Sequence, residues 1–308
     1  MKILITGGLG FIGTNFVNKL IANNFFNFLV VDNLINSYKF NDEIKDKIEL
    51  IDITDLNALL QVSEDCTHIV HFAGLGSVPR SIKAPYDTFK TNVVGTQNVL
   101  ECARIHKSNV IFASSSSVFG NLGNHIRSEN SLKKPISPYG YSKYIDELLF
   151  TSYFETFGVK SVILRFFNVF GPFQTVKNEY AAVIPKMLEA IKNKTVFEIH
   201  GDGNQSRDFT YVGDVVTIIW EILHRDFQGL NDLNLAWGNQ ITLNELISIL
   251  ITDLNLEIKT LNTSSRLGDI KNSQNDGKKI RELFSSIEPT DLRVALKATA
   301  DWYLAKKL

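Results

Sequence analysis

The chain has 308 residues, 44% of them hydrophobic, and carries 32 Lys and Arg against 33 Asp and Glu. That is enough apolar mass for one large domain or two sharing an interface, and a formal net charge of −1 argues against nucleic acid or an anionic membrane as partner. No apolar run approaches the ~18 residues that span a bilayer, and the start Met1–Ile5 is too short for a signal peptide. Cys66 and Cys102 make neither a disulfide framework nor a metal-ligand spacing, so a reducing cytoplasm and no metal are expected.

Along the first half, short β-branched runs alternate with longer helical patterns. Strands are predicted at Lys2–Thr6, Phe28–Asp32, Ile48–Ile51, His68–Phe72, Val110–Ser114 and Ser161–Arg165, with helices near 11–23, 55–64, 85–106 and 139–157. Such alternation implies right-handed crossovers and a doubly wound parallel α/β sheet, whose ligands lie beyond the carboxyl ends of the strands.

After the first strand comes Thr6-Gly7-Gly8-Leu9-Gly10-Phe11-Ile12-Gly13. Gly7, Gly10 and Gly13 answer three steric needs: a tight turn, backbone approach to a pyrophosphate, and close helix packing. A helix opening at Phe11 and Ile12 points its N–H groups at that anion. Asp32 closes the second strand, where a carboxylate accepts hydrogen bonds from a ribose diol and repels a 2′-phosphate; with no arginine at Asn33 or Leu34, NAD is favoured over NADP. Asp52-Ile53 is a candidate adenine contact, although Asp52 equally suits a cap for the helix near Asp55. Phe72-Ala73-Gly74 ends the fourth strand with small residues that allow close cofactor approach.

Tyr139 and Lys143 are four residues apart, which puts them on one helix face. Tyrosine is a poor base at neutral pH, and a neighbouring ammonium with a positive nicotinamide ring favours its phenolate. A Tyr-x-x-x-Lys pair is common on surface helices. Here Ser114–Ser117 ends the preceding strand at the same sheet edge, where a serine can hydrogen-bond a reacting hydroxyl.

From Gly171-Pro172 the pattern loosens. A helix near 181–193, strand Val196–His200, a polar turn at 201–204, a helix near 213–225, strand Asp232–Leu235, a helix near 242–254, a loop-rich stretch at 262–278 and a helix near 290–306 follow. This region reads as too irregular to continue the sheet. The expected division is a dinucleotide domain over 1–171, joined by the helix near 213–225, and a smaller α/β substrate lobe over 172–308.

The segments Thr6–Gly13, His71–Gly74, Ser114–Gly120, Pro138–Lys143, Arg165–Pro172, Gly201–Val212 and Arg266–Asp269 together resemble the extended short-chain dehydrogenase/reductase superfamily, and within it the nucleotide-sugar 4-epimerases. The resemblance implies a Rossmann domain, Tyr139 as base, Lys143 as its electrostatic and ribose partner, Ser115 as the catalytic hydroxyl, and Phe166 beside the nicotinamide. It implies Asn168 and Arg207 on the diphosphate, and Arg266 and Asp269 facing phosphate and nucleoside. Phe119 stands where the family often has tyrosine. Ser77, in Leu75–Ser81, and Ala182 and Val183, in Tyr180–Pro185, resemble substrate-binding stretches of UDP-N-acetylglucosamine epimerases. Ser273, seven residues after Arg266, matches the position that gates sugar size, unless the register is shifted and it is a loop serine.

The implied reaction inverts C4 of a UDP-hexose through a 4-keto intermediate with NAD recycled, with UDP-GlcNAc and UDP-GalNAc as the leading pair and UDP-Glc and UDP-Gal also admitted. The family further implies a homodimer joined by a four-helix bundle from 85–106 and 139–157. A 4,6-dehydratase would carry carboxylates after the catalytic hydroxyl, and Ser115-Ser116-Ser117 has none. A UDP-glucuronate epimerase or decarboxylase, a dehydratase despite that lack, and a non-catalytic NAD-binding protein remain the alternatives.

Overall fold

A computed structural model describes residues 1–36, 42–123, 125–174, 176, 182–264 and 272–305. In chain order the first elements are β1 (Ile3–Thr6), α1 (Phe11–Ala22), β2 (Phe28–Asp32), β3 (Ile48–Leu50), α2 (Leu56–Ser63), β4 (His68–His71), α3 (Val78–Lys83), α4 (Pro85–Phe89), α5 (Gly95–His106), β5 (Asn109–Ser115), α6 (Pro138–Phe157) and β6 (Ser161–Phe166). Then follow β7 (Val169–Phe170), α7 (Val183–Asn193), β8 (Val196–His200), β9 (Ser206–Asp208), β10 (Thr210–Tyr211), α8 (Val212–Leu223) and β11 (Leu230–Leu235). The chain closes with β12 (Gln240–Thr242), α9 (Leu243–Thr252), β13 (Lys259–Thr263), β14 (Asn272–Ser273), α10 (Lys278–Leu283) and α11 (Leu292–Ala305).

Seven strands form one sheet in the order β11-β6-β5-β4-β1-β2-β3, and the pairs β1–β2, β1–β4, β2–β3, β4–β5 and β5–β6 are parallel. This is a Rossmann-type sheet whose strand order reverses beside β1, the crevice where such sheets hold ligands. Its central strands are buried on both faces and therefore read as apolar runs: β1 is buried at all four positions and β2 at four of five. Leu4, Val31, Ile69, Val110, Phe112 and Ile163 pack with Leu59, Leu100 and Phe150 of the covering helices.

The chain divides into two compact units. Unit 1 comprises 1–120, 132–166 and 216–233, and unit 2 comprises 121–131, 167–215 and 234–308. In unit 2, Ile184, Met187 and Leu188 of α7, Leu246 and Leu250 of α9, and Leu296 and Tyr303 of α11 form a second apolar core with Phe197 and Ile199 of β8.

One sequence expectation needs correction. The chain after Gly171 does rejoin the main sheet: β11 lies at its edge beside β6, and Ser161 N–H donates to the Gly229 carbonyl at 3.0 Å. The helix expected over 85–106 is present and continuous, with a π-turn over Lys90–Val94 between α4 and α5.

Candidate active site

In unit 1 the turn after β1 is set by close backbone packing. Gly7 sits at φ +69°, and a Cβ there would lie 2.6 Å from the Ala73 nitrogen. A Cβ on Gly13 would fall on the Gly7 carbonyl oxygen, and one on Gly10 would lie 3.3 Å from the same atom. No side chain caps α1, whose N-cap is Gly10. Its first turn, at Phe11 and Ile12, therefore presents N–H groups to whatever anion approaches. The cleft beside this turn has an empty volume of about 520 Å³ and is lined by Gly7, Gly10, Asp32, Asn33, Ile53, Phe72, Ala73 and Gly74, among others. Asp32 Oδ2 accepts from Leu9 N–H at 3.0 Å and Oδ1 from Leu34 N–H at 2.8 Å, which orients the carboxylate at the end of β2.

Asp52 does not cap α2. That cap is Asp55, which accepts from Ala58 N–H at 3.1 Å, while Asp52 accepts from Thr54 N–H and hydroxyl and from Asn33 Nδ2 at 2.9 Å. These hydrogen bonds, against the opposing effect of burial, leave the Asp52 carboxyl below its ordinary range. Ile51 and Ile53 line the cleft on either side of it.

Ser137, the N-cap of α6, accepts from Gly140 N–H at 3.1 Å with Pro138 at the first helical position, which fixes where Tyr139 and Lys143 start on their shared face. Burial pushes the Tyr139 hydroxyl above its ordinary value, a hydrogen bond with Ser115 pulls it down, and the Asp146 charge pushes it up. Ser115 closes β5 and pairs in register with Phe166 of β6, so the expected hydroxyl and aromatic stand on adjacent strand ends. Lys143 is 5% exposed, with Nζ 4.5 Å from the Phe112 ring centre and 3.8 Å from Asp146 Oδ2. The expected effect of its ammonium on Tyr139 is thus not the leading influence: burial dominates at Tyr139, and Lys143 faces Asp146. Ser77 is the N-cap of α3 and accepts from Arg80 N–H at 3.3 Å.

Several neighbours carry no motif signal. Asn92, fully buried in the π-turn, accepts from Leu75 N–H at 2.7 Å and donates to Ser142 Oγ at 2.9 Å, tying the segment after β4 to α6. Glu147 accepts from Ser114 Oγ at 2.6 Å and from Arg165 Nε and Nη2 at 2.8 and 3.0 Å, and pairs with Lys133 at 3.1 Å. Phe119 is fully buried, its ring 5.5 Å from the Arg165 guanidinium.

Unit 2 carries a separate cavity of about 1250 Å³ empty volume, lined by Val183, Lys186, Glu189, Phe197, Glu198, His200 and Arg207, among others. Ala182 is the N-cap of α7. Arg207 lies on β9, with Nη1 donating to the Ser206 carbonyl at 2.8 Å, and Ser273 of β14 pairs with it in register. Asn168, at φ +36°, donates to the Asp208 carbonyl at 3.0 Å. Arg127 is fully buried, and burial with the nearby Arg207 charge lowers its pKa. Arg266 and Asp269, with Tyr180 and Ala181, lie outside the described residues. No group of His, Cys, Asp and Glu among the described residues could hold a metal ion, and no helix among them is long and apolar enough to cross a membrane.

The family model described as NAD dependent epimerase/dehydratase matches residues 3–236. A putative UDP-glucose 4-epimerase of Methanocaldococcus jannaschii is 33% identical over 306 residues, covering 97% of each chain. Among solved structures, a UDP-N-acetylglucosamine 4-epimerase from Methanobrevibacter ruminantium in complex with UDP-N-acetylmuramic acid has a TM-score of 0.92 at 33% identity, covering 99% of this chain and 98% of that one. UDP-glucose 4-epimerase from Thermotoga maritima with UDP-glucose has a TM-score of 0.89 at 29% identity and 98% coverage of both chains.

Proposed function

The chain belongs to the NAD-dependent epimerase/dehydratase family, and from that premise we propose that it is a UDP-hexose 4-epimerase using NAD, with UDP-GlcNAc and UDP-GalNAc as its pair. The observation that carries this reading is the placement of Ser115 at the end of β5 and of Tyr139 and Lys143 on one face of α6, in the same unit as a glycine turn with no room for a Cβ at Gly7 or Gly13.

The cofactor fits that turn. Gly7, Gly10 and Gly13 would admit its pyrophosphate, Asp32 would accept from the adenosine ribose, and Phe72–Gly74 would leave room for the remainder. When bound, NAD would supply a reversible hydride acceptor for C4 of the sugar. Tyr139, as phenolate, accepts the O4 proton on oxidation and returns it on reduction. Ser115 hydrogen-bonds the same oxygen, and Lys143 holds charge beside them. Atoms and electrons balance over the cycle, so no external reductant is consumed.

In unit 2, Arg207 would hold the diphosphate by charge-assisted bonds while the sugar turns. No carboxylate follows Ser115 in Ser116–Ser117, which favours epimerisation over dehydration. A homodimer also belongs to this reading: Tyr141 and Leu148, seven residues apart on α6, and Val94 and Ile105 at α5 are exposed apolar side chains that a second copy would cover.

Incubation of the purified protein with each of UDP-GlcNAc, UDP-GalNAc, UDP-Glc and UDP-Gal, followed by product separation, tests the reading. Interconversion within a pair is expected without net NADH, while keto or deoxy products would point to a dehydratase. The N-acetyl preference has its own test. Ser273→Tyr adds a ring beside β9, an overpacking of ~1–3 kcal/mol if the C2 substituent passes there. The ratio of kcat/KM for plain over N-acetylated sugars should rise; equal losses on both classes would remove Ser273 as a gate.

A further inference from the structure

Helix α6 carries a second carboxylate on its inner side that the proposed reaction does not use. Asp146 is fully buried, three residues from Lys143, with Oδ2 3.8 Å from the Lys143 ammonium. Neither of its oxygens closes a well-formed hydrogen bond. A buried carboxylate so weakly held calls for a reason beyond packing.

Behind it runs a polar line through the middle of unit 1. Thr6 Oγ1 lies 2.6 Å from His71 Nδ1, His71 Nε2 lies 3.0 Å from Thr96 Oγ1, and the Thr96 hydroxyl faces Asp146. Thr6, His71 and Thr96 are all fully buried. Burial, with the Lys143 charge, drives the His71 imidazole down to about 3, so it is neutral, with one donor and one acceptor nitrogen. Burial pushes the Asp146 carboxyl up to about 7, against the Lys143 charge. When it is ionised, the donors can all point one way: Thr6 to His71 Nδ1, His71 Nε2–H to Thr96, and the Thr96 hydroxyl toward the carboxylate. The line thus joins the end of β1, where the glycine turn begins, to the catalytic helix.

The groups that act on Asp146 are Thr96 on α5 and Lys143, Tyr139 and Glu147 on α6 itself; neutral His71 on β4 stands behind Thr96, and the apolar Phe112 ring on β5 lies against Lys143. Lys143 is the cation of that set. Burial lowers its pKa, and Asp146 leads the influences that raise it. The Asp146 charge also raises Tyr139. One carboxylate therefore acts on both members of the proposed base pair, and in the same direction.

We propose that Asp146 is a positioning residue for the Tyr139–Lys143 pair: backed by Thr96, His71 and Thr6, it keeps Lys143 protonated in a dry interior and restrains Tyr139 from ionising early, and so sets where on the pH axis the enzyme works. The proposal rests on the reading of Tyr139 as the base.

The test compares Asp146→Asn, Thr96→Val and Tyr139→Phe with the wild type. Two quantities are measured: the pH profile of kcat on a UDP-hexose, and ultraviolet titration of tyrosinate in the sugar-free protein, with Tyr139→Phe as the baseline that identifies the Tyr139 signal. Asp146→Asn removes the charge and keeps the shape. Both limbs of the profile and the Tyr139 titration should move to lower pH, and kcat at the wild-type optimum should fall about tenfold. Thr96→Val leaves Asp146 in place but makes it harder to ionise, so it should move both readouts the same way by less; it also decides the question if Asp146→Asn does not fold. A purely structural role would lower activity or stability and leave both curves where they were, which would overturn the proposal. Full activity in Tyr139→Phe would instead overturn the reading of the base, and the tyrosinate titration would still show whether Asp146 acts on Tyr139.

Discussion

The cleft of unit 1 presents backbone and small side chains: Gly7, Gly10, Ala73 and Gly74 line it, and the glycine turn beside it has no room for a Cβ at Gly7 or Gly13. The cavity of unit 2 presents long side chains of both signs, Lys186, Glu189, Glu198 and Arg207. Backbone shape has few alternatives and is held by what packs behind it. Unit 1 also buries ionisable groups, among them Lys143, Asp146, Glu147 and Arg165. Side-chain recognition, in contrast, is adjustable one residue at a time. Substitutions in the first region should therefore act on folding and chemistry, and those in the second on affinity.

The largest expected effect breaks the support of the first region. Glu147→Ala leaves Arg165, 1% exposed, with only the partly exposed Asp232 as counter-ion, at 2.7 Å. Burial works against the Arg165 charge, and Glu147 with Asp232 more than restores it. Removing one partner of such a buried pair costs ~3–5 kcal/mol. A denaturation midpoint close to wild type would show that the network under Ser114 is not what holds this edge of the site.

Next comes the chemistry. Tyr139→Phe deletes one oxygen from a helix whose start is fixed by Ser137 and Pro138, so folding and NAD binding should persist. Turnover should drop at least ~10²-fold. Retained turnover would separate the unit 1 geometry from catalysis altogether.

How far these regions are legible in the sequence follows from the same contrast. The run Phe28–Asp32 has no polar interruption before its terminal acid, so the strand and the placement of Asp32 could be read locally. The glycine turn is legible because the steric demand falls on residues adjacent in the chain. The helix over 85–106 is legible but its π-turn is not, because the buried Asn92 there meets the Leu75 N–H and Ser142, a partner fifty positions away. Nor is the return of β11 to the main sheet, since its pairing partner is set by tertiary packing rather than by periodicity. Asp146 is silent in the sequence for a related reason: beside Glu147 on a long helix it reads as one more solvated charge, and only the fold buries it.

In unit 2, Arg207→Ala sharpens the comparison. If this cavity governs affinity, loss of a charged hydrogen-bond donor should raise KM about tenfold or more, with kcat less affected. A loss confined to kcat would place Arg207 in the chemical step instead.

The last prediction concerns a buried acid next in sequence to Arg207. Asp208 is fully buried, and Oδ2 accepts from Gly238 N–H at 3.0 Å and Asn275 N–H at 3.2 Å. Burial, opposed by these backbone donors, pushes its carboxyl from 3.8 up to about 6. A folded-state value above the unfolded one means that its favourable contribution is complete below about pH 4 and is lost as the pH rises through about 6. Asp208→Asn removes that titration and leaves an amide oxygen to accept from the two backbone donors. The stability of the variant minus that of the wild type should therefore increase across this window, by up to about 3 kcal/mol. Urea midpoints at several pH values between about 4 and about 7 measure the difference directly. A difference that stays flat would mean that the backbone donors fully offset burial at Asp208. The cavity wall would then be as rigidly held as the glycine cleft, and the contrast between the two regions would fail at this point.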